Sequence, residues 1–206
     1  MKEADLYLAS LLSSKVCHDL LAPVSGAIFA SSMLEDSKVN SQEVLGLITS
    51  SIENLSKKLQ LFRIAFSFSK GEGSPIIKEV KDAALLAFGN EKQTIEWKDA
   101  PFYDLVREGD WGRLVLNLGL IAHESLVKGG TLTFDLTKIP QTMSIVAQGP
   151  LVVLNDQLHQ ALKNHGLEPT VRTLPGNFAR YLVERLGLKL EIAHNLTKLE
   201  FTLSAP

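Results

Sequence analysis

A histidine followed at once by an acid and, five residues on, by a proline occurs near the N-terminus, within SSKVCHDLLAPVSGAIF at residues 13–29. A histidine that is neutral near pH 7 can attack an electrophilic centre through one ring nitrogen when a partner fixes the proton on the other. Asp19 is the candidate partner of His18, directly or through water, and an ordinary exposed acid is the competing interpretation. These residue types allow nucleophilic group transfer by a histidine.

Pro23 falls inside the helix that the same stretch predicts. A proline there removes one backbone hydrogen bond and clashes with a carbonyl near His18 and Asp19, at a cost of roughly 3 kcal/mol. A kink one turn past a reactive histidine would loosen the local backbone. A tolerated bend in a bundle helix is the alternative interpretation.

Two predicted helices must position the histidine. Residues 41–67 carry apolar side chains at spacings of three and four over three heptads, after the predicted N-cap Asn40, with Glu43 placed as in a capping box. Residues 5–34 predict an earlier helix, and the short polar segment 36–40 makes the two helices antiparallel neighbours. The seam consists of Leu45, Ile48, Ile52, Leu55, Leu59, Phe62 and Phe66. Because a lone hairpin exposes this seam, we expect a dimeric four-helix bundle, with packing on the rest of the chain as the alternative.

His18 is expected to face outward, because it lies two residues from both Val16 and Leu20 on the apolar side of the first helix. Its own stripe is small and polar near the histidine but keeps large apolar side chains, which is typical of a docking surface. Packing of this stripe on a second domain is the alternative. The predicted docking residues are Leu11, Ser14, Lys15, Leu21, Ala22, Ser25 and Phe29, joined by Ser51, Asn54 and Lys57, which a reflection about residue 38 places opposite residues 25, 22 and 19.

The rest of the chain predicts a second domain at residues 71–206, after a first domain at residues 1–70, with the linker GEGSP at 71–75. The predicted elements are helix 76–89, strand 94–98, helix 110–127, strands 131–137 and 143–148, helices 155–164 and 176–186, and a closing hairpin of KLEIAHN and KLEFTLS. Helices on one side of a mostly antiparallel sheet make this an α+β domain.

Composition excludes several classes of function. The formal net charge is −2, with both signs spread along the chain, so no nucleic-acid partner is expected. Apolar runs are too short for a membrane span, and the N-terminus does not resemble a signal peptide. The single cysteine, Cys17, is interpreted as a small packed side chain, and the absence of a second cysteine predicts a cytoplasmic protein without an internal disulfide.

The string His18-Asp19-Leu20-x-x-Pro23 resembles the phospho-acceptor box, H-[DE]-L-x-x-P, of bacterial sensor histidine kinases. Such kinases carry this box on the first helix of a dimeric hairpin, which an ATP-binding α/β sandwich follows. The order of elements here is the same over nearly the whole chain. The resemblance implies an α+β fold in which a dimeric hairpin bundle precedes a degenerate kinase-ATPase-like sandwich.

The nucleotide-binding boxes of those kinases are not matched. Where the kinases read N-L-x-x-N-A, residues 117–122 read NLGLIA, so that Ile121 takes the metal-binding position and cannot ligate a hard cation. Residues 147–150 read AQGP and lack the aspartate of D-x-G-x-G. Residues 174–178 read LPGNF and keep one glycine of the phosphate loop. Together these departures predict that the second domain does not bind ATP.

The stretches KVCHDLLAPVSGAI and NLGLIAHESLVKGG are similar to the ChpT family of alphaproteobacterial histidine phosphotransferases, over about residues 5–204. The resemblance implies a homodimer that takes a phosphoryl group on His18 from the receiver aspartate of a CckA-type hybrid kinase and passes it to CtrA-type and CpdR-type response regulators. It implies no cofactor in this chain, since the receiver supplies Mg²⁺. An ATP-dependent histidine kinase fragment and a non-catalytic receiver-docking adaptor are the alternatives.

Overall fold

A computed structural model of the chain describes residues 3–35, 40–66, 77–99, 109–138, 142–164 and 168–205. The chain divides into two compact units, Met1–Arg63 and Ile64–Pro206. The predicted linker at 71–75 and the predicted domain boundary after residue 70 lie outside the described residues.

The first unit is a helical hairpin, whose second helix ends in the first residues of the second unit. Helix α1 spans Glu3–Ser32 and continues through Pro23, a short 3₁₀ turn follows at Met33–Glu35, and α2 spans Ser41–Phe66. Asn40 is confirmed as the N-cap of α2, because its Oδ1 accepts a hydrogen bond of 3.0 Å from the Gln42 N–H. The Glu43 carboxylate accepts from the Asn40 side-chain amide, not from the main chain as in a capping box.

The apolar seam of α2 is only half covered within one chain. Ile48 and Leu55 are half-buried. The residues one heptad apart on the other side of the seam, Leu45, Ile52 and Leu59, keep exposed fractions of 54%, 54% and 47%. A single hairpin therefore leaves a continuous apolar strip in water, as the heptad pattern predicts.

The second unit alternates helices and strands in the predicted order, and the element ends fall within two residues of the predicted ones. Its helices are α3 (Ile77–Phe88), α4 (Gly109–Ser125), α5 (Asp156–Lys163) and α6 (Leu174–Arg185). Its strands are β1 (Gln93–Lys98), β2 (Gly130–Asp135), β3 (Thr142–Gln148), β4 (Lys189–His194) and β5 (Lys198–Ser204).

The five strands form one sheet in the order β1-β2-β3-β5-β4, in which β1 and β2 are parallel and every other neighbouring pair is antiparallel. Alternate residues of β3 and β5 are fully buried, so one face of the sheet packs on helices. Helix α4 contacts β2, β3 and β5 at the centre of that face. The predicted α+β class is confirmed.

Close packing fixes α4 on the sheet. A Cβ added at Gly119 would lie 2.9 Å from the Phe134 ring and 3.0 Å from the Phe88 ring, so only glycine lets the helix approach so closely. The rings of Phe88 and Phe134 are themselves stacked at 6.2 Å. Among the described residues, no helix is both long and apolar enough to cross a membrane.

Candidate functional site

His18 lies near the middle of α1, and 82% of its side chain is exposed, in agreement with the predicted outward orientation. Its Nδ1 lies 3.1 Å from Oδ1 of Asp19. The two residues that the sequence paired for chemistry are therefore in direct contact, without a bridging water.

Asp19 is held from two sides. Its other oxygen, Oδ2, lies 2.8 Å from Nζ of Lys15 one helical turn earlier, and only 18% of the Asp19 side chain is exposed. Burial raises the pKa of Asp19, but the hydrogen bonds from Lys15 and His18 and the charges of Lys15 and Lys58 together lower that pKa below its ordinary value. Asp19 is consequently a carboxylate at neutral pH.

The ionised carboxylate decides which nitrogen of His18 carries the proton. A carboxylate only accepts hydrogen bonds, so Nδ1 must be the protonated nitrogen that donates to it. In neutral His18 the lone pair then lies on Nε2. Among the described residues no group hydrogen-bonds to Nε2, so this lone pair is open to a reaction partner.

Lys58 is a contact of this site that the sequence interpretation missed. Reflection about residue 38 places Lys57 opposite Asp19, whereas in the structure Nζ of Lys58 donates a hydrogen bond of 3.0 Å to the Asp19 carbonyl oxygen. Gly26 likewise faces Ser51, since a Cβ added at Gly26 would lie 3.2 Å from the Ser51 Oγ. The register of the hairpin is thus one residue away from the predicted one.

The predicted docking residues are placed on a largely open surface around His18. Exposed are Ser14, Leu21, Ala22, Ser25, Phe29 and Asn54, and half-buried are Leu11, Lys15, Ser51 and Lys57. Phe29 is 70% exposed, and Leu21 is 60% exposed. Lys15 is engaged with Asp19, so its charge belongs to the histidine site. The docking role of this surface stays a prediction.

Cys17 is exposed, so its interpretation as a packed side chain is wrong for the single chain. It lies next to His18 on the face of α1 that the hairpin leaves open. Among the described residues, no three His, Cys, Asp or Glu side chains come together as metal ligands.

The residue at the position of the kinase metal ligand is buried in the core of the second unit. Ile121, at the place of the metal-binding asparagine, is 1% exposed. Asn117, which the kinase box shares, is fully buried, and its Nδ2 donates to the carbonyl oxygens of Ala65 at 3.0 Å and Arg113 at 2.8 Å. Both residues serve packing, and neither is oriented to hold a nucleotide.

The two glycine motifs also serve packing. A Cβ at Gly149 would collide with the carbonyl of Gly129, which marks a close approach of two backbone segments. Gly176 lies inside α6, where an added Cβ would meet Leu158 of α5 at 3.3 Å. The residues at all three kinase motifs therefore do not fit a nucleotide and its metal ion.

Comparisons with known proteins agree with this geometry. The family model described as Histidine phosphotransferase C-terminal domain matches residues 77–198. Protein phosphotransferase ChpT of Brucella abortus (strain 2308) is 32% identical over 132 residues, which make up 64% of this chain and 61% of that protein. The match thus spans less than two thirds of the curated relative.

Solved structures share the fold. A bacterial phosphotransferase solved at 1.7 Å superposes with a TM-score of 0.83 at 22% identity, over 99% of this chain and 98% of that one. A histidine kinase domain from the Erythrobacter litoralis EL346 blue-light activated histidine kinase superposes with a TM-score of 0.51 at 12% identity, over 90% of this chain and 95% of that one. These likenesses confirm the predicted arrangement of a helical hairpin and a kinase-like sandwich.

The family that the resemblance predicted is confirmed. The matching family model covers more than half of the residues, including the helix whose kinase metal position is occupied by Ile121. The chain belongs to the histidine phosphotransferase family.

Proposed function

We propose that the chain accepts a phosphoryl group on Nε2 of His18 from the aspartyl phosphate of a receiver domain and passes it to the receivers of response regulators. One observation carries this proposal: an 82% exposed histidine whose Nδ1 is bonded to a carboxylate and whose Nε2 is open. Family membership supports it, as does the name phosphotransferase given to the Brucella abortus relative.

The proposed step balances without any further acid or base. The Nε2 lone pair attacks phosphorus in line, a nitrogen–phosphorus bond forms, and the bond from phosphorus to the receiver carboxylate breaks, so that the receiver leaves as a free aspartate. Nδ1 keeps its proton throughout. The positive charge that develops on the ring is stabilised by the Asp19 carboxylate 3.1 Å away.

The donor follows from the same chemistry. Because Asn117 and Ile121 are buried where a kinase would hold its metal ion, we infer that the phosphoryl group comes from another protein. We infer receivers of the CckA type as donors and of the CtrA and CpdR types as acceptors, as the family resemblance implies. Receivers bind their own Mg²⁺, which offsets the phosphoryl charge. The exposed free thiol of Cys17 suits a reducing cytoplasm, where we place the chain.

The test of this function is the transfer of label from a phosphorylated receiver to the chain in the absence of ATP. Acid-labile label on the chain supports the proposal. Label that appears with ATP alone would instead support the kinase alternative, and binding of the receiver without label would support the adaptor alternative.

Phe29→Glu is expected to weaken receiver binding about tenfold or more, because a large apolar side chain that is buried in an interface contributes about 1.5–3 kcal/mol. Phe29 is 70% exposed on the predicted docking surface. Leu196→Glu is the matched control, since Leu196 is 73% exposed in the second unit. Titration calorimetry with the receiver measures both variants. Equal affinities of Phe29→Glu and wild type would remove Phe29 from the interface.

We also propose that the active form is a homodimer joined through the hairpins. The strip of Leu45, Ile52 and Leu59, about half exposed in one chain, is the kind of heptad seam that a second copy covers in a four-helix bundle. A monomer would leave these side chains in water, at a cost of roughly 25 cal/mol for each Å² of apolar surface.

Ile52→Glu is expected to convert the dimer to a monomer, because it places two unpaired carboxylate charges, one from each copy, near the bundle axis, where unpaired charge is costly. Light scattering at micromolar concentration measures the mass. Ser50→Glu, at an exposed position on the side of the same helix opposite Ile52, is the control and should remain dimeric. A monomeric wild type would contradict the bundle.

A further inference from the structure

Pro23 leaves a main-chain carbonyl of α1 without its helical partner. In an α-helix the N–H of residue 23 would donate to the carbonyl oxygen of residue 19, and proline has no N–H to give. That carbonyl belongs to Asp19, the residue that holds the ring of His18. An open carbonyl at this point would leave the Asp19 peptide free to tilt away from the helix axis.

Lys58 supplies the missing donor from the other helix. Its Nζ lies 3.0 Å from the Asp19 carbonyl oxygen, and both groups are partly buried, so the contact is a charge-assisted hydrogen bond between α1 and α2. Lys58 thus binds the Asp19 main chain, and its positive charge also acts on the Asp19 carboxylate. The charged and titratable groups that face Asp19 are Lys15 and His18 from its own helix and Lys58 from α2.

We propose that Lys58 is a positioning residue for phosphoryl transfer: by binding the carbonyl that Pro23 leaves open, it holds the Asp19 carboxylate where it keeps His18 protonated on Nδ1. Pro23 and Lys58 then act together: the proline leaves the Asp19 carbonyl without a helical donor, and the lysine binds this carbonyl from the second helix. The consequence for reactivity rests on the proposed function, whereas the consequence for the His18 tautomer does not.

Lys58→Met keeps the length of the side chain and removes its charge and its donor. We expect the fraction of neutral His18 protonated on Nδ1 to fall, as read from the imidazole ¹⁵N shifts, and transfer from a phospho-receiver to slow about tenfold, which matches the lower end of the range for one lost charge-assisted bond. Receiver affinity is expected to stay unchanged. Lys58→Arg retains a charged donor and should restore most of the rate and the tautomer.

Lys128→Met is the charge-matched control. Lys128 is an exposed residue of the second unit, so this variant loses the same charge at a position outside the hairpin sequence, and it should keep the wild-type rate. A Pro23→Ala background tests whether the effect of Lys58 depends on the carbonyl that Pro23 leaves open. Alanine at residue 23 returns a main-chain N–H to the Asp19 carbonyl, so the effect of Lys58→Met should shrink in this background.

The outcomes separate the two proposals. A wild type that takes no label from any receiver overturns the proposed function, while the tautomer of Lys58→Met still decides the role of Lys58. A wild-type tautomer and rate in Lys58→Met, or an equal effect of Lys58→Met in both backgrounds, would overturn the positioning role. If Lys58→Met alone does not fold, Pro23→Ala is compared with the Pro23→Ala/Lys58→Met double variant. An unchanged tautomer agrees with a lysine that acts only through the carbonyl left open by Pro23, and a shifted tautomer would overturn the positioning role.

Discussion

Asp19→Asn is expected to slow phosphoryl transfer to His18 about tenfold, because an amide can donate to Nδ1 and so favour the tautomer with the proton on Nε2. A hydrogen bond to a charged group contributes about 1.5–3 kcal/mol. Because the His18 side chain is largely exposed to solvent, we expect this bond to lie at the lower end of that range. Single-turnover transfer from a phosphorylated receiver measures the rate constant.

Asp19→Glu is the matched control for this variant, since it keeps a carboxylate and should recover part of the rate. Thermal unfolding of all three proteins separates chemistry from folding, because Asp19 also binds Lys15 at 2.8 Å. An Asp19→Asn protein with the wild-type rate and the wild-type histidine tautomer would remove Asp19 from the mechanism and leave it as an ordinary helix acid.

The lowered pKa of Asp19 fixes the pH range in which the carboxylate acts. A carboxyl group whose pKa is lower in the folded than in the unfolded state contributes stability above its unfolded pKa and loses it as the pH falls through the folded one. Asp19 therefore stays ionised between pH 5 and 8, so the carboxylate that fixes the His18 tautomer is present throughout that range. The stability difference between wild type and Asp19→Asn should vanish only in strong acid.

His18→Ala is expected to abolish acceptance of the phosphoryl group, with a loss of about 10³-fold or more to the background of non-enzymatic hydrolysis, since it removes the nucleophile itself. The side chain is 82% exposed, so its truncation should leave the helix and the fold intact. Receiver binding is expected to persist in this variant, which distinguishes lost chemistry from lost docking.

Cys17→Ser is the matched control for His18→Ala. Cys17 is an exposed neighbouring nucleophile, and its replacement should leave the label on the chain unchanged. Label that survives in His18→Ala but disappears in Cys17→Ser would place the phosphoryl group on sulfur and refute the histidine mechanism.

Local patterns predicted the elements of this fold well. The heptad spacing of α2 and the N-cap at Asn40 are properties of adjacent residues, so sequence alone located them. The same holds for the outward orientation of His18, which follows from helical geometry. The sequence did not distinguish a direct contact between His18 and Asp19 from one through water, and in the structure the contact is direct.

Long-range register was the part that sequence did not predict. The connection between the two helices gives no exact pairing, so a shift of one residue exchanged Lys57 for Lys58 opposite Asp19. One signal was available: Pro23 orphans the carbonyl of residue 19, and an orphaned, partly buried carbonyl requires a donor. The sequence offers Lys57 and Lys58 as donors for this carbonyl, and only the packing of the two helices determines that Lys58 binds it.

In the second unit, by contrast, the sequence alone was sufficient, because a missing kinase motif correctly predicted that the domain is not a kinase. Isoleucine in place of a metal-binding asparagine argued against a kinase, and the structure gives the physical reason, since Ile121 is 1% exposed in the core under the sheet. The sequence did not predict that Asn117 would bind the Ala65 carbonyl, 52 residues earlier in the chain.

The most direct measurement is the location of the phosphoryl group after transfer from a phosphorylated receiver in the absence of ATP. The wild-type chain should carry acid-labile label in the peptide that contains His18, and its imidazole ¹⁵N spectrum should show phosphorus on Nε2 with Nδ1 still protonated. Label on another residue, label that requires ATP, or a bound receiver that transfers nothing would contradict the account.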